Sequence, residues 1–167
     1  MSAIIVYFSR EGNNYVNGSV KHLAKGNTEV IAQFIHELTG AEMFKLDPVK
    51  PYALDYTECT HEAQAELRAN ARPQLKVLPD ISGYDVIYLG YPNWWGTMPM
   101  CVFTFLEANN WSGKKIYPFC THEGSGLGHS ETDIKKVCVG AEVERGLAIH
   151  GAEASSSRAV VEKWIRR

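Results

Sequence analysis

Two short apolar runs constrain this chain more than any other feature. Residues 3–8 read Ala-Ile-Ile-Val-Tyr-Phe, and residues 84–89, Tyr-Asp-Val-Ile-Tyr-Leu, are of the same kind. Runs of this length, rich in β-branched and aromatic types, mark strands buried on both faces. Strands of that sort need helices above and below them. From Thr28 the residues Val30, Ile31, Phe34, Ile35 and Leu38 recur at helical spacing, and Gly40 ends the pattern as a C-cap glycine would. Further strands are expected at 42–46, stopped by Asp47-Pro48, at 115–120 and at 144–149. Helices are expected at 58–70, from Pro99 to Leu106, at 130–138 and at 156–166. Parallel strands need long crossovers, so this alternation implies an α/β fold with a parallel sheet between two helical layers.

The 167 residues suit one domain spanning 1–167. A net charge of −2, with no Lys/Arg run longer than two, leaves no electrostatic footprint for nucleic acid or an anionic membrane. No apolar run approaches the roughly 18 residues that span a bilayer, and the first strand lacks a charged leader, so the cytoplasm is the expected location. Cys59, Cys101, Cys120 and Cys138 lie far apart, without CxxC pairs or matching histidines. Reduced thiols and no metal site are therefore expected.

In sheets of this kind a ligand sits beyond the carboxyl ends of the strands. Three loops there carry unusual chemistry. Gly26-Asn27-Thr28 opens the first helix, where unpaired N–H groups and the helix dipole favour a phosphate. Neither GxGxxG nor a GK[ST] lysine is present, so a monophosphate fits better than a dinucleotide or triphosphate; the alternative is that Thr28 is only an N-cap. In the second loop Trp94-Trp95 stands between Pro92 and Gly96, offering an indole face to a planar ligand or else capping the core or an interface. The third loop, Thr121 to Gly128, holds three glycines that let backbone approach a ligand, or that simply make a flexible connection.

With its Tyr7-Phe8-Ser9-Arg10 start and Tyr91-Pro92-Asn93-Trp94-Trp95-Gly96 loop, the whole chain resembles the flavodoxins. The resemblance implies a three-layer, flavodoxin-like sandwich with a five-stranded parallel sheet in the order 2-1-3-4-5. It implies flavin mononucleotide (FMN) as cofactor, its phosphate at Ser9, Arg10, Gly26, Asn27 and Thr28. The ring would be gripped by Pro92, Asn93, Trp94, Trp95 and Gly96 and by Thr121, Glu123, Gly124 and Ser125, with the Trp95-Gly96 peptide a candidate backbone contact. The phosphate motif is then split by residues 11–25. An uninterrupted alignment on Ser9-Arg10-Glu11-Gly12-Asn13-Asn14 competes with it, but the helical pattern begins after Thr28 and favours the split.

Residues 11–25 should form an excursion over the strand ends, either a tolerated surface loop or a partial lid with Tyr15 beside the ring. A flavin carries its own redox chemistry, so no catalytic acid or base is assigned. The implied function is a low-potential electron carrier between redox partner proteins. An NAD(P)H-dependent quinone oxidoreductase of the same fold is the alternative, and a binding protein that has lost the flavin is a third. The nearly balanced charge departs from the acidity of carrier flavodoxins and raises the weight of the enzyme reading.

Overall fold

The computed structural model describes residues 2–167. Strand β1 (Ala3–Tyr7) lies at the centre of a parallel sheet, between β4 (Glu42–Lys45) and β5 (Val86–Pro92), and β6 (Lys115–His122) follows β5. The next position is shared by β7 (Glu142–Val143) and β8 (Leu147–His150), both paired to β6. The winding is the expected 2-1-3-4-5, with the last strand broken in two, so that six strands stand where five were expected.

The break is a one-residue slip. Ile116 pairs with Val143 and Phe119 with Leu147, three steps along β6 against four along its neighbour. The extra residue interrupts the ladder there, as a bulge does. Its freed backbone groups are taken up by side chains: the Gly146 N–H donates to Glu131 at 2.8 Å, and the Arg145 carbonyl accepts from the Trp164 indole at 2.9 Å.

Alternation along β1 shows why its sequence has no polar face. Ile4, Val6 and Phe8 join one buried cluster, with Phe105 and Leu106 of α3 (Met100–Glu107) and Ile134 of α4 (Ser130–Val137). Ile5 and Tyr7 join the other, with Ile31 and Ile35 of α1 (Asn27–Thr39) and Val161 and Trp164 of α5 (Arg158–Ile165). Period-2 geometry thus sends successive side chains into opposite layers.

The other elements lie close to expectation. Gly40 caps α1 in the left-handed conformation, with φ 76°. Helix α2 (Tyr56–Ala69) starts two residues earlier than expected, because the Asp55 carboxylate accepts from the Glu58 N–H at 2.9 Å and so fixes the N-cap. Strand β5 continues through Gly90, Tyr91 and Pro92, expected to be loop, and a 3-10 turn over Gly151–Ser156 precedes α5.

The largest difference is in residues 11–25, expected as an irregular excursion. Strands β2 (Gly12–Val16) and β3 (Ser19–Leu23) form an antiparallel hairpin. Its turn is Asn17-Gly18, with φ of 51° and 91°, the two-residue turn whose twist matches paired strands. Among the described residues no helix is long and apolar enough to cross a membrane, and all four cysteines are buried and free.

Candidate functional site

The site begins at the neck where the hairpin leaves and rejoins the chain. Gly26 packs so closely there that a Cβ would lie 2.2 Å from Ser9 Oγ and 2.6 Å from the Arg10 carbonyl. Ser9 Oγ accepts from the Glu29 N–H at 3.1 Å, tying the end of β1 to the first turn of α1. The structure therefore brings Ser9, Arg10, Gly26, Asn27 and Thr28 together across the fifteen-residue interruption, the arrangement that the split motif requires. The N-cap of α1 is Gly26 rather than Thr28. Among the described residues the N–H groups of Asn27 and Thr28 meet no acceptor, leaving the positive end of the helix dipole open.

Two side chains of this group do something other than face that opening. Thr28 is only 2% exposed and its hydroxyl shares a 2.7 Å hydrogen bond with that of Thr121, which joins the first loop to the third. Arg10 turns its guanidinium toward the segment before α2. Nε donates to the Asn13 carbonyl, and Nη2 to the carbonyls of Ala53 and Leu54, each at 2.9 Å.

In the second loop Trp94 and Thr97 exchange backbone hydrogen bonds of 2.9 and 3.4 Å around Trp95 and Gly96, whose φ values are 56° and 88°. A tryptophan in the left-handed region is strained, and such strain persists only where the surroundings enforce it. Here the enforcers are on both sides. Trp94 packs edge-on against Phe8 and Tyr52, with ring centroids 5.3 and 5.0 Å away. Asn93 accepts from the Gly96 N–H at 2.9 Å and donates to the Gly126 carbonyl at 2.9 Å, bracing the second loop against the third. Trp95 is left 48% exposed, its indole N–H donating to the Thr60 carbonyl at 3.0 Å. With the Gly96 N–H engaged, the Trp95 carbonyl is the open group of the Trp95-Gly96 peptide among the described residues.

These loops enclose a cavity of about 330 Å³ at the strand ends. All five residues from Pro92 to Gly96 line it, with Asn27, Thr121, Glu123 and Ser125. Ser9, Gly26 and Thr28 form the neck behind it, Arg10 lines an adjoining cavity instead, and Gly124 lines neither. The lining also includes Tyr56, His122 and Gly151, which the sequence reading passed over. Gly151 follows the last strand and obeys the strand-end rule already applied to the other loops. A Cβ on it would strike Glu123 at 2.5 Å and Asn27 at 2.7 Å.

The hairpin closes one side. Its Asn17 N–H donates to Glu123 at 2.8 Å, and Tyr15 lies against Tyr56 with ring centroids 5.9 Å apart. Next to Glu123 in the chain, His122 Nδ1 accepts from the Gly124 N–H at 2.9 Å, which requires the neutral ring with its proton on Nε2. Burial, reinforced by the His150 ring 5.6 Å away, lowers the His122 pKa from its ordinary value and favours that neutral form.

Residues 19–167 match the profile of a family described as flavodoxin. No curated protein matches the sequence. Among solved structures, a candidate flavoprotein from Bacteroides uniformis is 26% identical with a TM-score of 0.79, covering 99% of this chain and 98% of its own. A second, from Bacteroides eggerthii, is also 26% identical, with a TM-score of 0.78 over 99% of this chain and 96% of its own. A flavoprotein crystallised in complex with FMN, from Lactobacillus acidophilus, has the same fold at 19% identity, with a TM-score of 0.68 and 98% of each chain covered. With a family match over nearly all of its length and strand-end loops meeting at one cavity, the chain belongs to the flavodoxin family.

Proposed function

We propose that this chain binds FMN in the strand-end cavity and serves as a low-potential electron carrier between redox partner proteins. One observation carries the reading: the neck at Gly26, the Trp95 turn and the Thr121–Ser125 loop converge on a single opening, although they come from three separate stretches of chain. The residues fit the group. Open N–H groups at the start of α1 suit its phosphate, and Trp95 offers an aromatic face at the cavity wall. The Trp95 carbonyl supplies an acceptor for a ring N–H. When bound, FMN supplies the redox chemistry, and the chain's part is to hold it, shield one side with the hairpin and leave Trp95 at the rim.

The test is direct. The purified protein should be yellow, and its acid-extracted chromophore should be the mononucleotide. The flavin-free chain should bind FMN at least about tenfold more tightly than riboflavin, because only the former carries the phosphate that α1 receives. Equal affinities would remove the phosphate from the N-terminus of α1.

The hairpin favours a second reading, an NAD(P)H-dependent quinone oxidoreductase. Held by Glu123 and Tyr56, it limits the approach of a large partner to one side of the cavity. Anaerobic mixing separates the two. Rapid bleaching of the flavin by NADH or NADPH supports the enzyme, and bleaching only by a reduced protein donor supports the carrier.

A further inference from the structure

A second cavity, of about 310 Å³, adjoins the strand-end cavity and lies between α2 and the Trp94–Trp95 turn. Its size falls in the range of small-molecule sites. Tyr56, Trp94 and Trp95 supply aromatic wall, Cys59 and Ala63 of α2 leave room between them, and Arg10 is the one charged residue that lines it. No carboxylate does. The contrast with a larger cavity, of about 550 Å³, is informative: its lining includes Lys50, Glu62, Glu66 and Arg72, charges of both signs.

Arg10 is prepared for a ligand in a way that surface arginines are not. Its Nε and Nη2 are held from behind by three carbonyls, so the fork is fixed in place. Nη1 donates to no acceptor among the described residues. Burial raises the pKa of the neighbouring Cys59 thiol to about 11, against the pull of Arg10, so the thiol is neutral and is no counter-charge; the carboxylate that does feel Arg10, Glu11, is exposed and paired with Lys45 at 2.8 Å, outside the cavity lining. A rigid, partly buried cation with one nitrogen to spare, set among aromatic rings, selects a flat ligand with an anionic oxygen at its edge.

We propose that this cavity binds an aromatic carboxylate, its ring against Trp95 and Tyr56 and its carboxylate on Arg10. Tyr56, Asn93, Trp94 and Trp95 line both cavities, so the ligand lies next to the occupant of the strand-end cavity. That it there neighbours a flavin rests on the FMN reading above. The binding itself does not.

Isothermal titration of 2-naphthoate into the FMN-loaded protein tests the site, with 2-naphthamide as the uncharged control. Naphthoate should bind, and the amide should bind at least about tenfold more weakly. Arg10→Gln should weaken naphthoate by about tenfold or more. Because Arg10 also ties the hairpin to residues 53–54, a second variant is needed. Ala63→Leu fills the cavity from α2 and should abolish naphthoate binding while FMN affinity stays at the parent value.

No binding to the parent, equal binding of the amide, or binding that survives Ala63→Leu each overturns the proposal. So does binding to the FMN-free protein alone in competition with FMN, which would assign the cavity to the flavin. If the chain takes up no FMN at all, naphthoate binding that is lost in Ala63→Leu upholds the site while the FMN reading fails.

Discussion

The neck at Ser9 and Gly26 and the hairpin that grows from it are adjacent in sequence and opposite in character. At the neck, backbone touches backbone: Gly26 leaves no space for a Cβ, Thr28 is buried on Thr121, and Ser9 caps an amide of α1. The hairpin, by contrast, is mostly exposed, and its tip reaches the body of the protein through Glu123 and the Tyr15–Tyr56 contact. The position of the helix N-terminus is thus set by contacts with no slack. The cover over the cavity is held by contacts that are individually weak.

The sharpest way to break that comparison is to substitute a glycine in each region. Gly26→Ala should cost about 2–3 kcal/mol of stability through overpacking, and should lower FMN affinity with it. Gly18→Ala at the hairpin turn meets nothing within 4 Å and has only its φ of 91° to pay for, about 1 kcal/mol. Denaturant unfolding and FMN titration of both variants measure the difference. Equal losses would mean that the neck is no tighter than the turn.

The tryptophan pair gives the next largest effect. Trp94→Leu removes a ring packed on Phe8 and Tyr52 and should cost about 2–3 kcal/mol. Trp95→Leu should cost less than about 1 kcal/mol of stability, yet change flavin fluorescence and affinity more than Trp94→Leu does. The reverse ranking would exchange the roles of the two indoles.

Thr28→Val strands the buried Thr121 hydroxyl and should destabilise by about 1–2 kcal/mol. Adding Thr121→Val removes the stranded partner and should recover much of that loss, a coupling that a double-mutant cycle reads directly. Recovery of nothing would place the Thr28 hydroxyl on some other partner.

The smallest expected effect is one of pH. His122 has a lowered pKa in the folded protein, so the unfolded chain binds the extra proton first. Its contribution to stability is therefore present above the ordinary histidine pKa of about 6.5 and is lost as pH falls below it toward the folded value. His122→Asn should flatten that part of the stability profile, and an unchanged slope would assign it to another group.

Much of this architecture was legible because it depends on local pattern. The apolar runs of β1 and β5 and the cap at Gly40 stand in consecutive residues, as does the 28–38 periodicity of α1. The start of α2 was missed for want of reading Asp55 as a cap. The hairpin was missed for a different reason. Gly-Asn-Asn-Tyr-Val has little strand propensity of its own, and only the Asn17-Gly18 turn, a strong hairpin signal between two short segments, announced it.

The split of the last strand was beyond local reading, since the groups that satisfy it, Glu131 and Trp164, come from helices on either side of it in sequence. At the site, the strand-end rule pointed to the three loops that meet at the cavity, although Arg10 and Gly124 do not line it. Tyr56 escaped because it sits on a helix that the same rule does not cover, and the side-chain roles of Thr28 and Arg10 escaped because their partners, Thr121 and residues 53–54, are far along the chain.

The one-residue slip between β7 and β8 has a bearing on how the protein behaves at high concentration. A long, straight outer strand would offer a row of open N–H and C=O groups to a neighbouring molecule, the starting point for aggregation. Here that row is cut into pieces of two and four residues, out of register with each other by one residue. The opposite border of the sheet, β4, is four residues long and ends in Lys45, whose ammonium is drawn toward Glu11 at 2.8 Å and Glu29 at 3.2 Å. Neither border gives a second chain a continuous ladder to extend. Straightening the slip by deleting Arg145 would lengthen one of them, and with it the tendency of separate molecules to join edge to edge.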